Sequence, residues 1–227
     1  MNGSGLVFPL LVPLLFWAAY HYYHDRHRPE PVGHLILCIV LGAAAAYLSR
    51  GMYWSLGLVG LRYDALALAQ DNLPGLFVYA VMGIGLTEEL AKLVPFLLVA
   101  IRFREFDEPM DGIVYASFIA LGYAVVENLH FLQFLSPGEA IARGFAGPLV
   151  HIVFASIWGY HIGVAKLAGQ GTFRAALIWL PAAALAHGVY DFVVLGFPQP
   201  GLVVAAAIIV SVWLWRLHKL RVLAESR

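Results

Sequence analysis

The sequence predicts an all-α fold, a polytopic membrane protein with about seven transmembrane helices and a polar cluster inside the helix bundle. Of its 227 residues, 61% are apolar and only 12% are charged, and the mean hydropathy is +0.78. About a quarter of the residues are charged in a typical soluble domain, so this composition excludes an ordinary water-soluble fold. The formal net charge is zero, which gives no reason to expect a nucleic-acid partner. The expected surroundings are a lipid bilayer.

Seven apolar segments approach or exceed the roughly 20 residues that a membrane-spanning helix needs. The third carries Gly83 and Gly85 just before two acids, so we expect a tilt, a kink or a helix start there. The stretch from Gly51 to Leu61 is too short to span and is interpreted as an interfacial piece. Without internal repeats, residues 1–227 are predicted to form one domain, with the motifs at about 74–195. The segments run from Gly5 to Tyr22, Val32 to Leu48, Pro74 to Ile101, Asp111 to Leu135, Phe145 to Lys166, Phe173 to Leu195 and Leu202 to Leu217.

Lysine and arginine are distributed unevenly over the loops between these segments. If the N-terminus is outside, ten of the 14 basic residues lie on the cytoplasmic side, three lie on the other side, and Lys92 lies within a span. An excess of basic residues marks cytoplasmic loops. We therefore predict a multi-pass protein of the cell membrane with an extracytoplasmic N-terminus and a cytoplasmic C-terminus.

The third segment contains the run Glu88-Glu89-Leu90-Ala91-Lys92, which places three ionisable groups in apolar surroundings. Each costs roughly 2.5 to 3.5 kcal/mol at the centre of a span, so the three together indicate a functional site. On a helix, Glu88 and Lys92 are four residues apart and can pair, whereas Glu89 lies about one hundred degrees away. One acid is thus expected to be neutralised locally and the other to be left over.

Further polar residues occur in the later spans, and the distance of each from the outer end of its helix can be counted. At 1.5 Å per residue, Glu127 lies about 12 Å deep, His151 about 9 Å and His187 about 12 Å. Glu88 comes out deeper, at roughly 20 Å on a straight helix, and an irregular segment at the glycines would raise it. Asp191 follows His187 by one helical turn and shares its face. The sequence therefore predicts one polar cluster contributed by four spans.

Such a cluster can support hydrolysis in two ways. Two imidazoles and a carboxylate, here His151, His187 and Glu127, form the ligand set of catalytic zinc, with a remaining glutamate to take a proton from water. Without a metal, a buried carboxylate could activate water while the histidines stabilise the oxyanion. Asp191 could orient His187 or become a ligand itself.

Two other functions use the same groups. A metal-dependent membrane lipid amidase needs the same histidines and acids but accepts a lipid. An ion- or proton-coupled transporter could relay charge through Glu88, Lys92, Glu127 and Asp191, although transporters commonly contain internal repeats and none is found here.

Several motifs in the chain resemble the PrsW family of intramembrane proteases, which is similar to the wider group that contains the type II CAAX prenyl endopeptidases. The resemblance extends over about residues 15–195, and two positions depart from the common pattern: Tyr123 replaces a frequent Phe and Phe131 a frequent Tyr. The motifs are Asp25-x-x-x-Pro29-Glu30-Pro31, Glu88-Glu89-x-x-Lys92, Asp107-Glu108-Pro109-x-Asp111-Gly112, Gly122-Tyr123-Ala124-x-x-Glu127-Asn128, His151, and His187-Gly188-x-Tyr190-Asp191.

The resemblance implies an endopeptidase that cuts membrane-associated proteins, such as an anti-sigma factor. It implies a catalytic or metal-binding role for Glu88, Glu89, Glu127, His151 and His187, with support from Asn128 and Asp191. Combining this with the chemistry above, we predict catalytic roles for Glu88, Glu89 and Glu127, metal ligation by Glu127, His151 and His187 with zinc as the possible cofactor, and a supporting role for Lys92. We expect Glu89 to be the general base and Glu88 to pair with Lys92, although the two glutamates could exchange these roles. The sequence leaves the substrate, the choice between metal and glutamate mechanisms, and the oligomeric state open.

Overall fold

A computed structural model describes residues 3–225 of the chain apart from residues 25, 27 and 200. Asp25 of the first motif, and Arg227 of the basic residues counted above, lie outside the described residues. The described part is helical and contains no strand. Its α-helices are α1 (Gly3–His24), α2 (Val32–Leu58), α3 (Ala65–Asp71), α4 (Leu73–Val78), α5 (Leu86–Leu98), α6 (Pro109–Phe131), α7 (Pro137–Leu167), α8 (Thr172–Gly196) and α9 (Gly201–Glu225). A π-helical segment (Tyr79–Gly85) joins α4 to α5, and short 3₁₀ turns follow α5 (Ala100–Arg102) and α6 (Leu132–Phe134).

Five stretches of the described chain are long and apolar enough to cross a membrane, which agrees with the predicted multi-pass, all-α architecture. The five do not include α1 or the segmented helix formed by α4, the π segment and α5. The predicted count of seven therefore remains a prediction. The five stretches are Val32–Leu58, Pro109–Phe134, Pro137–Leu167, Thr172–Gly196 and Gly201–Val222.

Helix α2 is longer than the sequence suggested. The second span was expected to end at Leu48 and to be followed by a separate interfacial piece, but α2 continues without a break to Leu58. The separate piece was therefore wrong. Gly60 explains where the helix stops, because its φ of +72° is left-handed and favours a residue without a side chain.

Helix α6 forms the centre of the bundle, and most of its residues are buried.

Capping boxes fix the starts of α6 and α7. At α6, the Asp111 carboxylate accepts the backbone N–H of Glu108 at 2.7 Å, and Pro109 occupies the first turn. At α7, the Glu139 carboxylate accepts the Ser136 N–H at 2.9 Å. Reciprocal caps of this kind satisfy backbone donors that have no partner inside the helix.

The irregularity that we expected near Gly83 and Gly85 is the π segment. It lengthens the helical turn just before α5 begins, and such segments often occur at functional sites. Its last residue, Gly85, packs against α8 so closely that a Cβ there would overlap the Ala184 carbonyl oxygen and the Gly188 nitrogen. Gly85 and Gly188 thus let the backbones of the π segment and α8 approach, as small residues do in many membrane helix contacts.

Adding a methyl group at this contact should be costly. In Gly188→Ala, the new Cβ would meet the backbone of Ala80 and Val81, which cannot move away as a side-chain tip could. We expect the free energy of unfolding to fall by roughly 1 to 3 kcal/mol, the usual cost of overpacking. The measurement is unfolding in mixed micelles.

Gly51→Ala is the matched control, because no atom lies within 4 Å of a Cβ at Gly51 in α2. This variant should be as stable as the wild type or slightly more stable. Equal stability of the two variants would contradict the tight contact between α8 and the π segment.

Candidate active site

The predicted polar residues converge in the interior of the bundle. Four helices contribute them, so the cluster expected from the depth count is formed by side chains far apart in the sequence. The members are Glu88, Glu89 and Lys92 on α5, Glu127 on α6, His151 on α7, and His187 with Asp191 on α8.

Glu89 forms a buried ion pair with Lys92, and neither side chain is exposed. The Lys92 Nζ atom donates to Glu89 Oε1 at 2.6 Å. The expected pairing of Lys92 with Glu88 was wrong. Residues three and four positions apart on a helix are both neighbours, and here the closer one is also reached by two more donors.

Those two donors come from α7 and α8. The His187 Nδ1–H donates to Glu89 Oε1 at 2.8 Å, and the Trp158 Nε1–H donates to Glu89 Oε2 at 2.9 Å. Both carboxylate oxygens of Glu89 therefore have partners. A carboxylate paired with an ammonium only accepts hydrogen bonds, so the Nδ1 atom of His187 carries the proton. In neutral His187, the lone pair of Nε2 is then free and points away from Glu89.

His151 lies between Lys92 and Glu127. The Lys92 Nζ atom lies 3.0 Å from His151 Nδ1, and because an ammonium only donates, Nδ1 is the acceptor. The Nε2–H of neutral His151 then donates to Glu127 Oε2 at 2.8 Å. Arg143 also approaches that oxygen, at 3.4 Å. Glu127 is thus on the far side of the His151 ring from the other acids.

Glu88 differs from its neighbour because one of its oxygens is unoccupied. Glu88 Oε1 accepts a hydrogen bond from the Tyr53 hydroxyl at 3.2 Å. Glu88 Oε2 is buried and has no hydrogen-bond partner in the described part of the chain. It faces both imidazoles, at 3.9 Å from His151 Nδ1 and 3.8 Å from His187 Nε2. Orphaned buried oxygens are rare in folded proteins, and one of this kind suggests a place for water or an ion.

The two supporting residues from the sequence motifs have different surroundings. Asp191 Oδ2 lies 3.7 Å from His187 Nε2 and is also buried without a hydrogen-bond partner among the described residues. Asn128 is buried next to the backbone of Gly147, and its Oδ1 atom likewise has no such partner there. Asp191 therefore joins the cluster, whereas Asn128 makes no hydrogen bond to it within the described chain.

The donor atoms suit a divalent cation in part. Glu88, His151 and His187 each offer one ligand atom within 4.8 Å of the other two, and this is the one such group of three found in the described residues. Glu88 Oε2 and His187 Nε2 have free lone pairs, while Lys92 engages the Nδ1 atom of His151. The carboxylate of this group is Glu88, whereas the sequence suggested Glu127 as the carboxylate ligand.

The sequence did not predict three residues that contact the cluster: Tyr53, Trp158 and Arg143. Each contacts one of the predicted acids through a polar group. Tyrosine and tryptophan within apolar segments usually pack or mark the membrane interface, and Arg143 was assigned to a loop. These residues are not three or four positions from the acids that they contact, so helix periodicity cannot predict the contacts and only the fold reveals them.

Known proteins similar to this chain are proteases. The profile of the PrsW family intramembrane metalloproteases matches residues 30–216. Protease PrsW of Oceanobacillus iheyensis is 29% identical over 212 residues, which cover 93% of this chain and 92% of that protein. Protease PrsW of Clostridioides difficile is 27% identical, with 92% and 87% covered, and that of Bacillus subtilis is 25% identical, with 81% and 79% covered. No solved structure matches significantly.

Removing the cation from the buried ion pair should destabilise the bundle. In Lys92→Met, we expect the free energy of unfolding to fall by roughly 3 to 5 kcal/mol, because the buried Glu89 carboxylate loses its charged partner. The double variant Lys92→Met, Glu89→Gln should recover part of the loss, since the unpaired charge is gone. Arg174→Met, an exposed position on α8, is the control and should change little. A double variant less stable than Lys92→Met would contradict the pairing.

Proposed function

We propose that this chain, which belongs to the PrsW family of intramembrane metalloproteases, hydrolyses a peptide bond of a membrane protein at the cluster around Glu88. Membership makes the chain a multi-pass membrane protease whose substrates lie in the bilayer. We further propose which residues act on the substrate and where cleavage occurs, and that residues 1–227 form one protease domain.

The observation that carries this proposal is the unpartnered Oε2 atom of Glu88 between two imidazoles. A water held there would contact Glu88 Oε2 and the Nε2 atom of His187, which are 3.8 Å apart. A general base must lie within hydrogen-bond reach of the proton that it removes. Glu88 meets that requirement with a free oxygen, so we propose that it contacts the reacting water.

The role that the sequence suggested for Glu89 passes to Glu88 in this proposal. Both oxygens of Glu89 already accept hydrogen bonds, from Lys92, His187 and Trp158. A carboxylate in that state has little capacity left for a proton on water. We propose that Glu89 instead holds His187 in the tautomer whose Nε2 lone pair faces the reaction centre. Glu127 holds His151 in the opposite tautomer, with the proton on Nε2 and the lone pair on Nδ1.

A divalent cation would be held by Glu88 and His187, with His151 as the third ligand if Lys92 withdraws and Asp191 as the nearest further carboxylate. Zinc suits this mixture of imidazole and carboxylate ligands. When bound, such an ion would polarise the scissile carbonyl and acidify water. Without an ion, Glu88 would take the proton itself, and His187 would act as the imidazolium, whose Nε2–H can donate to the developing oxyanion. Glu88 is indispensable in both cases.

Substrate access follows from the location of the cluster inside the bundle. A helical substrate hides its carbonyl groups in backbone hydrogen bonds, so the segment to be cut must unwind before Glu88 can act. The distribution of basic residues predicts an extracytoplasmic N-terminus, and with that orientation the cluster would lie in the extracytoplasmic half of the bilayer. We therefore propose a single-span membrane protein, such as an anti-sigma factor, as the substrate, cut on its extracytoplasmic side.

Loss of the free carboxylate should abolish cleavage. In Glu88→Gln, kcat should fall by about a hundredfold or more, since general bases contribute on the order of 10² to 10⁴. The assay follows a panel of single-span membrane proteins, anti-sigma factors included, in phosphatidylethanolamine–phosphatidylglycerol liposomes, with mass spectrometry of the products. Glu105→Gln, at an exposed acid of the loop before α6, should retain activity.

Comparison with Glu89→Gln separates the two glutamates. That variant should lose stability as well as activity, whereas Glu88→Gln should lose activity alone. Normal activity of Glu88→Gln would refute its role. If a ceramide-like lipid were cleaved in parallel assays and no protein were, the lipid amidase alternative would replace the protease.

Metal analysis of the purified protein tests the cation site. We expect about one zinc per chain, lost in His187→Ala and retained in His218→Ala, whose histidine is exposed on α9. The readout is elemental mass spectrometry after dialysis. Active wild-type protein without metal would establish the glutamate mechanism instead.

A further inference from the structure

The two oxygens of Glu88 are not equivalent, and Tyr53 causes the difference. The Tyr53 hydroxyl on α2 donates to Oε1, while Oε2 is left facing His151 and His187. This hydrogen bond is the one that Glu88 makes within the described residues, whereas Glu89 accepts three. Without this one hydrogen bond, the Glu88 carboxylate could rotate about its terminal torsion, which has a broad energy minimum.

Helix α2 presents a second hydroxyl to the same region. Ser49 precedes Tyr53 by four residues, so the two side chains lie on one face of α2. The Ser49 Oγ atom is 2.9 Å from the Tyr123 hydroxyl, and the Tyr123 ring lies 4.8 Å from the Lys92 Nζ atom. Ser49 therefore reaches the cluster only through Tyr123, whereas Tyr53 contacts one of its acids directly.

We propose that Tyr53 is a positioning residue for Glu88, which fixes one carboxylate oxygen so that the other faces the reaction centre. This inference rests on the proposed role of Glu88. A phenol suits the task because its O–H can donate to a carboxylate without neutralising it, whereas an ammonium such as Lys92 pairs its charge with the acid it contacts. The arrangement leaves Glu88 both oriented and available as a base or a ligand.

Tyr53→Phe removes this hydrogen bond and keeps the ring. We expect kcat to fall on the order of tenfold, because loss of a hydrogen bond to a charged group has an effect of about this size. KM should not change, because the removed hydroxyl does not belong to the surface that binds the substrate. The assay is cleavage of a single-span anti-sigma factor in phosphatidylethanolamine–phosphatidylglycerol liposomes. Tyr47→Phe is the matched control, since Tyr47 also lies on α2 but is 63% exposed, and it should behave as wild type.

A spectroscopic measurement detects the contact independently of turnover. With 3-fluorotyrosine at position 53, the ¹⁹F resonance in detergent micelles should move when Glu88→Gln is introduced, because the acceptor changes from a charged to a neutral group. With 3-fluorotyrosine at position 47, the resonance should not respond.

The outcomes separate the inference from the proposed function. The positioning role would be overturned if the ¹⁹F resonance at position 53 did not shift in Glu88→Gln. It would also be overturned if Tyr53→Phe were as active as Tyr47→Phe. Absence of cleavage by the wild-type protein would count against the proposed function, and the ¹⁹F response would still decide whether Tyr53 holds Glu88.

Discussion

The buried ion pair between Glu89 and Lys92 is the interaction on which the candidate site depends. Two charges without exposure to water are costly unless each also satisfies further hydrogen bonds. Here Glu89 accepts from His187 and Trp158, and Lys92 donates to His151, so the pair links α5 to both α7 and α8. Those hydrogen bonds determine which nitrogen of each imidazole is protonated. The ion pair therefore sets both the packing of the core and the chemistry of its histidines.

The π segment gives this ion pair its place in the bundle. It lies immediately before α5, and its close contact with Gly188 brings the backbone of α8 against it. His187 precedes that glycine by one residue, so the same contact sets the position of the imidazole relative to Glu89. An extra Cβ at the contact would separate the two helices. Backbone packing and side-chain chemistry are thus coupled at one point.

The adjacent glutamates Glu88 and Glu89 have different surroundings, on which the different roles that we propose for them rest. Glu89 points into the core, where every oxygen is occupied, while Glu88 points to a polar space bounded by two imidazoles and Asp191. A one-residue step on a helix rotates a side chain by about one hundred degrees, which is enough to move it from one environment to the other. One carboxylate then has both oxygens in hydrogen bonds, and its neighbour keeps an oxygen without a hydrogen-bond partner among the described residues.

The sequence by itself determined that this is a multi-pass all-α membrane protein, and it identified the acids, the histidines and the lysine that meet inside it. Both follow from local properties, since apolar length predicts spans and an ionisable residue in a span is rarely accidental. It also placed an irregularity at Gly83 and Gly85, because glycines before buried acids weaken a helix. The predicted family is confirmed by the match to residues 30–216.

Only the tertiary structure decided which glutamate pairs with Lys92 and which keeps a free oxygen. Spacing along α5 allows both pairings, and the choice depends on partners 69 and 98 residues away, Trp158 and His187. The contact of Tyr53 with Glu88, 35 residues apart, has the same origin. No periodicity within a segment encodes such distances. These contacts form only when separate helices pack against one another. Helix packing therefore gives the two neighbouring glutamates of one motif different partners.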